Sequence, residues 1–221
     1  MKRLAVKVVS AAMATAVVAG VGQSALKPSP IPIKWELDIR VEPIKAIEVR
    51  LPGSANPQLF WFIRYTLVND TGQDILFVPD FVLYADNGQI LRAGQQVPTA
   101  VFKAVKQLYN DPLMKDMTAM TGKLLQGEDN AKEGVAIWRD FDPKAGGFDI
   151  FIGGLSGESA EIKLPTTIKV VELTADGEEK TVETDTAIIT KTLDLQYGVP
   201  GEAAARNHAT PKLLDRRWVM R

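Results

Sequence analysis

The chain has 221 residues, with 26 Lys and Arg against 27 Asp and Glu, one histidine and no cysteine. Without cysteine there are no disulfides, no lipid anchored through a thioether, no zinc–thiolate or iron–sulfur centre and no thiol nucleophile. The balanced charge offers none of the clustered positive surface that nucleic acid requires.

Met1, Lys2, Arg3 and Lys7 make a basic start, and Val8 to Gly22 is an uncharged run of apolar and small residues. That run is shorter than the about 20 residues of a membrane-spanning helix. With Gly22, Ser24 and Ala25 behind it, it fits a secretory signal. Residues 1–25 are expected to be that signal, exporting the protein to the periplasm or the medium with no stable membrane span after cleavage. Residues 26–221 then carry 23 basic and 27 acidic side chains, a net charge of −4. They are long enough for one disulfide-free domain held by its core, which suits a bacterial exported protein.

Residues 26–33 carry prolines at 28, 30 and 32, which favour an extended lead-in. The body is expected over residues 34–197. Trp35, Leu37 and Ile39 alternate with Glu36, Asp38 and Arg40, a strand with one wet face. Pro43 interrupts, and Ile44 to Leu51 resumes. Leu59 to Val68 is a near-continuous apolar run rich in aromatic and β-branched residues, which predicts a central strand. Asn69-Asp70-Thr71-Gly72 turns the chain. Ile75 to Ala85 follows, with Pro79 marking an edge or bulge. Asp86-Asn87-Gly88 predicts a hairpin turn and Gln89 to Arg92 the return strand.

The period then changes. Thr99 is placed to cap a helix with Val101, Phe102, Val105, Leu108 and Tyr109 on its apolar face. Asp111-Pro112 is placed to start a second helix through Leu125. Residues 99–125 thus read as a helical hairpin inserted into a β protein. After the polar stretch 126–132, Val135 to Asp140 is expected to pair with Phe148 to Ile152. Thr166 to Thr174 and Thr181 to Leu195 flank a turn at Ala175-Asp176-Gly177. About nine strands at this spacing read as a β-sandwich. Residues 198–221 form a basic tail of five basic and two acidic side chains, against 18 and 25 in residues 26–197. Such a tail either lies on its own acidic body, meets an anionic partner, or is solvated.

The segment Tyr65-Thr66-Leu67-Val68-Asn69-Asp70-Thr71-Gly72 resembles the strand and Asn-rich turn of small bacterial extracellular immunoglobulin-like domains. Phe81 to Gly88 resembles their next hairpin, with Asp86 one place late, and Gly134 to Trp138 a late strand, with Trp138 in place of Phe. The resemblance covers about residues 59–153, and the 99–125 insertion departs from it. It implies a secreted immunoglobulin-like β-sandwich that serves binding or envelope structure and has no catalytic residues.

Chemistry is sparse. His208 is the only imidazole, and Ser156 in Gly154-Leu155-Ser156-Gly157-Glu158 lacks the second glycine of a nucleophile elbow. Asp140 with Asp142, or Glu128 with Asp129, are the carboxylate pairs a hydrolase would use, although turn chemistry also explains them. Met114, Met117 and Met120 stand three apart, a spacing that on a helix offers thioethers to Cu(I), or else lines a core. Asn69-Asp70-Thr71 is both a glycosylation sequon and a turn, and Trp35, Trp61 and Trp138 are either sugar-stacking or core residues. The expected protein is therefore a non-catalytic binding or scaffolding protein of the cell envelope, needing no cofactor. Its partner would be an envelope protein or polymer, contacted by the insertion and by Arg216, Arg217 and Trp218 of the tail. The alternatives are Cu(I) binding at the three methionines and a carboxylate-dependent hydrolase.

Overall fold

A computed structural model describes residues 26–173, 178–200 and 210–221. The expected signal, the turn at 175–177 and His208 lie outside the described residues. The protein is mainly β and divides into two compact units, one of residues 27–158 with 190–221, the other including residues 159–189.

In the larger unit, β1 (Asp38–Val41) and β2 (Lys45–Val49) lie in succession along one side of β3 (Gln58–Val68), separated at Pro43. Both pairings are antiparallel, with Ile39 opposite Leu67 and Ile47 opposite Phe60. A later strand, Lys132–Arg139, runs along the other side of β3 with Trp138 opposite Trp61. β3 is thus central, as its apolar run predicts. Its odd-numbered residues Trp61, Ile63, Tyr65 and Leu67 join the main core, while Phe60 and Phe62 enter a second cluster.

The short strands β4 (Ile75–Phe77) and β5 (Asp80–Ala85) replace the single strand expected over 75–85, because Pro79 denies the ladder a donor between them. β5 turns back into β6 (Ile90–Arg92) through the predicted hairpin. There Gly88 takes φ 89° and donates its N–H to the Ala85 carbonyl at 2.8 Å.

Helix α1 (Thr99–Tyr109) covers the outer face of the first sheet. Its buried Val101 and Val105 pack with Phe60, Phe62, Val49, Val135, Ile137 and Met114. Pro98, not Thr99, is its N-cap residue. The second helix of the expected hairpin does not form. Asp111 takes backbone N–H bonds from Leu113 and Met114 in a local turn. α2 (Met117–Met120) is a single turn capped by Asp116, and β7 (Gly122–Leu124) is a strand on β4. The backbone groups of 122–124 go to that ladder, so helical spacing of the methionines is not continued.

The strand beside β3 is β8 (Lys132–Arg139), and the next is β9 (Gly147–Gly153). They do not pair with each other, contrary to the sequence reading. β9 joins the second sheet between β5 and β11 (Glu179–Gly198). The burial patterns give the reason. β8 is buried on both faces and fits only between α1 and the core, whereas β9 alternates and belongs in a sheet with one wet face. On the far side of β11 lies β12 (Lys212–Met220), with Leu193 opposite Trp218. The tail is therefore a paired strand over 212–220, since β11 offers it a full ladder of backbone partners.

Phe81, Leu83, Phe148, Ile150, Ile152, Leu193, Leu195 and Tyr197 of the second sheet share one core with Trp61, Tyr65 and Trp138 of the first. Burying each large side chain contributes about 1.5–3 kcal/mol. The smaller unit contains β10 (Ser159–Leu173) and the first part of β11, the two strands expected around the 175–177 turn.

Gly134 on β8 lies beneath the Tyr65 ring. A Cβ there would stand 2.6 Å from Tyr65 Cζ and 2.9 Å from Met120 Cγ, both in the core. Gly134→Ala is expected to lower stability by about 1–3 kcal/mol, read as a lower urea midpoint at unchanged slope. An unchanged midpoint would contradict this packing.

Candidate functional site

Two groups of charged side chains stand out, both on β11. The odd-numbered residues Leu193, Leu195 and Tyr197 face the core, and the same parity carries Lys191 inward. Lys191 is 2% exposed. Its Nζ lies 2.9 Å from Glu36 Oε2 and 3.4 Å from Glu158 Oε2, and donates to the Ser29 carbonyl at 2.9 Å. The other oxygen of Glu158 accepts the Ser29 N–H at 2.8 Å. The Trp218 ring faces Nζ at 5.1 Å. Gly157 lies under the Trp35 indole, where a Cβ would meet Nε1 at 2.5 Å. The proline-spaced lead-in is therefore fastened at Ser29 by this buried cluster. Sequence reasoning missed Lys191; strand parity was the available signal.

On the opposite face of β11, Asp194 is 1% exposed; its Oδ2 accepts Arg217 Nε–H at 3.0 Å and forms an ion pair with Nη2 at 2.9 Å. Its other oxygen has no hydrogen-bond partner among the described residues. Burial raises the Asp194 carboxyl above the ordinary carboxylate range, although Arg217 pulls the other way. Asp149 on neighbouring β9 is raised too, first by burial and then by the charge of Asp194. Close by, the Arg221 guanidinium covers the Phe151 ring at 4.1 Å.

These contacts account for the tail residues. Arg217 is paired with Asp194, Arg216 donates to the Ile39 carbonyl at 3.1 Å, and Trp218 packs against the main core. All three have partners within the chain. The methionines are not brought together. Met114 is buried in the cluster under α1, Met120 in the core between the sheets, and Met117 packs against that core beside the Tyr65 hydroxyl. Among the described residues, no group of three or more His, Cys, Asp or Glu side chains is placed to hold a metal ion.

The remaining candidates fall on turns and cores. Asp140 accepts Trp61 Nε1–H at 2.8 Å and the Phe141 N–H at 3.0 Å. Asp142 accepts the Lys144 N–H at 2.9 Å and Asn87 Nδ2–H at 3.0 Å. Glu128 pairs with Arg40 at 2.9 Å, and Asp129 lies in the 3-10 turn Glu128–Asn130. Ser156 Oγ accepts the Glu158 N–H at 3.1 Å. Asn69 is fully buried, donating to the Gln73 and Leu124 carbonyls and accepting from Thr71, so its amide serves the turn. Trp61 and Trp138 are interior, and Trp35 is half-buried.

An apolar groove of about 570 Å³ lies in the larger unit, lined by Val41, Pro43, Tyr197, Pro200, Pro211 and Leu213 among others. Burial pushes the Tyr197 hydroxyl up to about 12, which leaves it a neutral phenol at physiological pH. No helix among the described residues is long and apolar enough to cross a membrane. Comparison with protein-family models, with curated proteins and with solved structures finds no match for this chain.

A carboxyl raised in the folded state binds its proton there at a higher pH than in the unfolded chain. Asp149 and Asp194 therefore cost stability near neutral pH and return it as pH falls through their folded values. The stability of the protein relative to its Asp149→Asn variant should accordingly rise between neutral pH and about pH 4. Urea titrations at a series of pH values would read this, and a pH-independent gap would remove the assignment.

Proposed function

We propose that this is an exported, non-catalytic binding or scaffolding module of the bacterial cell envelope with an immunoglobulin-like sandwich body, and that residues 159–189 supply its contact with an envelope protein. The observation that carries this reading is the exposure of that hairpin. None of the described side chains at 159–171 and 178–189 is buried, although the strands are long. Ile162, Leu164, Ile168, Val170 and Val182 are each only half-buried. A two-stranded hairpin is marginal in water without a second layer. An apolar stripe kept on such a hairpin favours a protein partner over a soluble polymer, because it is stabilised by further apolar burial.

The insertion and the tail make their contacts within the chain. α1 spends its buried valines on the first sheet, and the tail residues Arg216, Arg217 and Trp218 have contacts within the chain. The ion pairs Lys163–Asp185 at 3.6 Å and Lys169–Glu183 at 3.7 Å belong to exposed side chains and contribute little. They leave the stripe as the hairpin's main adhesive feature. The alternatives of Cu(I) binding and hydrolysis have no comparable support, since the methionines are divided between two cores and Asp140 is bonded to Trp61.

The test is in-cell photocrosslinking from position 164, with and without Ile162→Ser and Val170→Ser. The wild-type hairpin is expected to give one discrete crosslinked product that both substitutions reduce at least about tenfold, a change equivalent to about 1.4 kcal/mol. The variants' main thermal transition should remain in place. A product equally abundant in the variants would sink the reading.

A further inference from the structure

The cluster around Lys191 brings an amine and two carboxyl groups together inside the protein. Nζ is 2.9 Å from Oε2 of Glu36 and 3.4 Å from Oε2 of Glu158. Both oxygens are buried, and neither has an aligned hydrogen bond. The amine is therefore at ion-pair distance from each carboxyl group while its hydrogen bond goes to the Ser29 carbonyl. Trp218 and the Ser29 carbonyl occupy other directions around Nζ. We infer that Lys191 and Glu36 condense within the folded chain into an isopeptide bond, with Glu158 as the proton carrier.

The roles follow from the geometry. Glu36 is the nearer carboxyl, its backbone is held by a bridge to Ser156, and its side chain is 22% exposed, which gives departing water a way out. Glu158 is more deeply buried and is oriented by the Ser29 N–H on its Oε1. Its carboxylate removes a proton from the Lys191 ammonium. That first proton passes to a Glu36 oxygen, so the freed lone pair attacks Cδ of a neutral carboxyl group, and the new N–C bond forms. Glu158 then carries the second proton lost by nitrogen to the same Glu36 oxygen, whose bond to Cδ breaks. That oxygen leaves as water. One ammonium and one carboxylate become one neutral amide and one water, and Glu158 ends as it began. No oxidant or activating reagent enters.

Two physical effects favour the reaction. Groups held in place by a fold react as though at about 10⁵–10⁸ M effective concentration. The buried ion pair, costly to desolvate, is also exchanged for an amide without charge. The bond would tie residue 191 of β11 to residue 36 ahead of β1, giving a chain without cysteine a covalent closure that disulfides supply elsewhere.

Intact-mass measurement of the purified full chain decides the matter, compared with the mass calculated from its observed first residue. The expected mass is lower by one water. Trypsin should then fail to cut after Lys191 and should yield a branched product joining Trp35–Arg40 to Thr181–Arg206. Glu36→Ala and Lys191→Met should carry their full calculated masses. Glu36→Gln should give the same branched product through loss of ammonia, a result that simple dehydration elsewhere would not produce. A wild-type chain of full mass with normal cleavage after Lys191 overturns the inference. So does a water loss that maps to any other pair of residues. The wild-type measurement stands whether or not a variant folds.

Discussion

Burial of β3 on both faces is the constraint on which the larger unit depends. Its odd-numbered side chains need an opposing sheet, and Phe60 and Phe62 need a cover on the other side. α1 is that cover. β8 shares the requirement, with Ala136 and Trp138 facing the main core and Val135 and Ile137 facing α1. Two strands so composed are most stable side by side, since each then shields the other's edge while both faces stay dry. The helical segment interrupts a run of strands because a helix can be laid on the apolar face that Phe60, Phe62, Val135 and Ile137 present.

Charge is also placed within strands, next to the apolar packing. Lys191 is carried inward by β11 beyond the last apolar core position, and Glu36 and Glu158 compensate it. Arg64 plays a comparable role near the end of α1. It pairs with Glu133, with Asp111 at 3.1 Å and with Glu42 at 3.4 Å, and stacks on the Tyr109 ring at 4.9 Å. Ion pairs of this kind contribute little net stability because desolvation offsets attraction. Removing one partner alone is costly, and that asymmetry holds the lead-in at Ser29 and the turn at Asp111 in single positions.

Much of the fold was legible. The central place of β3, the Asp86–Gly88 hairpin and the extent of α1 follow from period and turn chemistry, and Pro79 marked an irregularity that proved to be a break between two strands. The failures share a cause. Met114, Met117 and Met120 keep helical spacing, but Asp111 and Asp116 each bond nearby backbone N–H groups and divide the segment. β8 and β9 are neighbours in sequence joined by a turn-rich loop, yet their burial patterns send them to different sheets. β12 falls in a basic tail whose charge left docking on the body, a partner or solvation open, and its place is secured by backbone pairing with β11. The sites show the same division. Asp140, Asp142 and Asn69 were readable as turn residues, whereas the buried roles of Lys191 and Asp194 were not.

What the sequence determined by itself was the absence of thiol chemistry, the predominance of strands and the positions of most turns. These depend on composition and on preferences spanning a few residues. Tertiary structure alone decided which strands pair, that the methionines separate into two cores, and that a lysine lies between two glutamates. Side-chain alternation says that a strand has two faces. Only when another layer comes to rest on one of them is it settled which residues lose water and which charges must find each other.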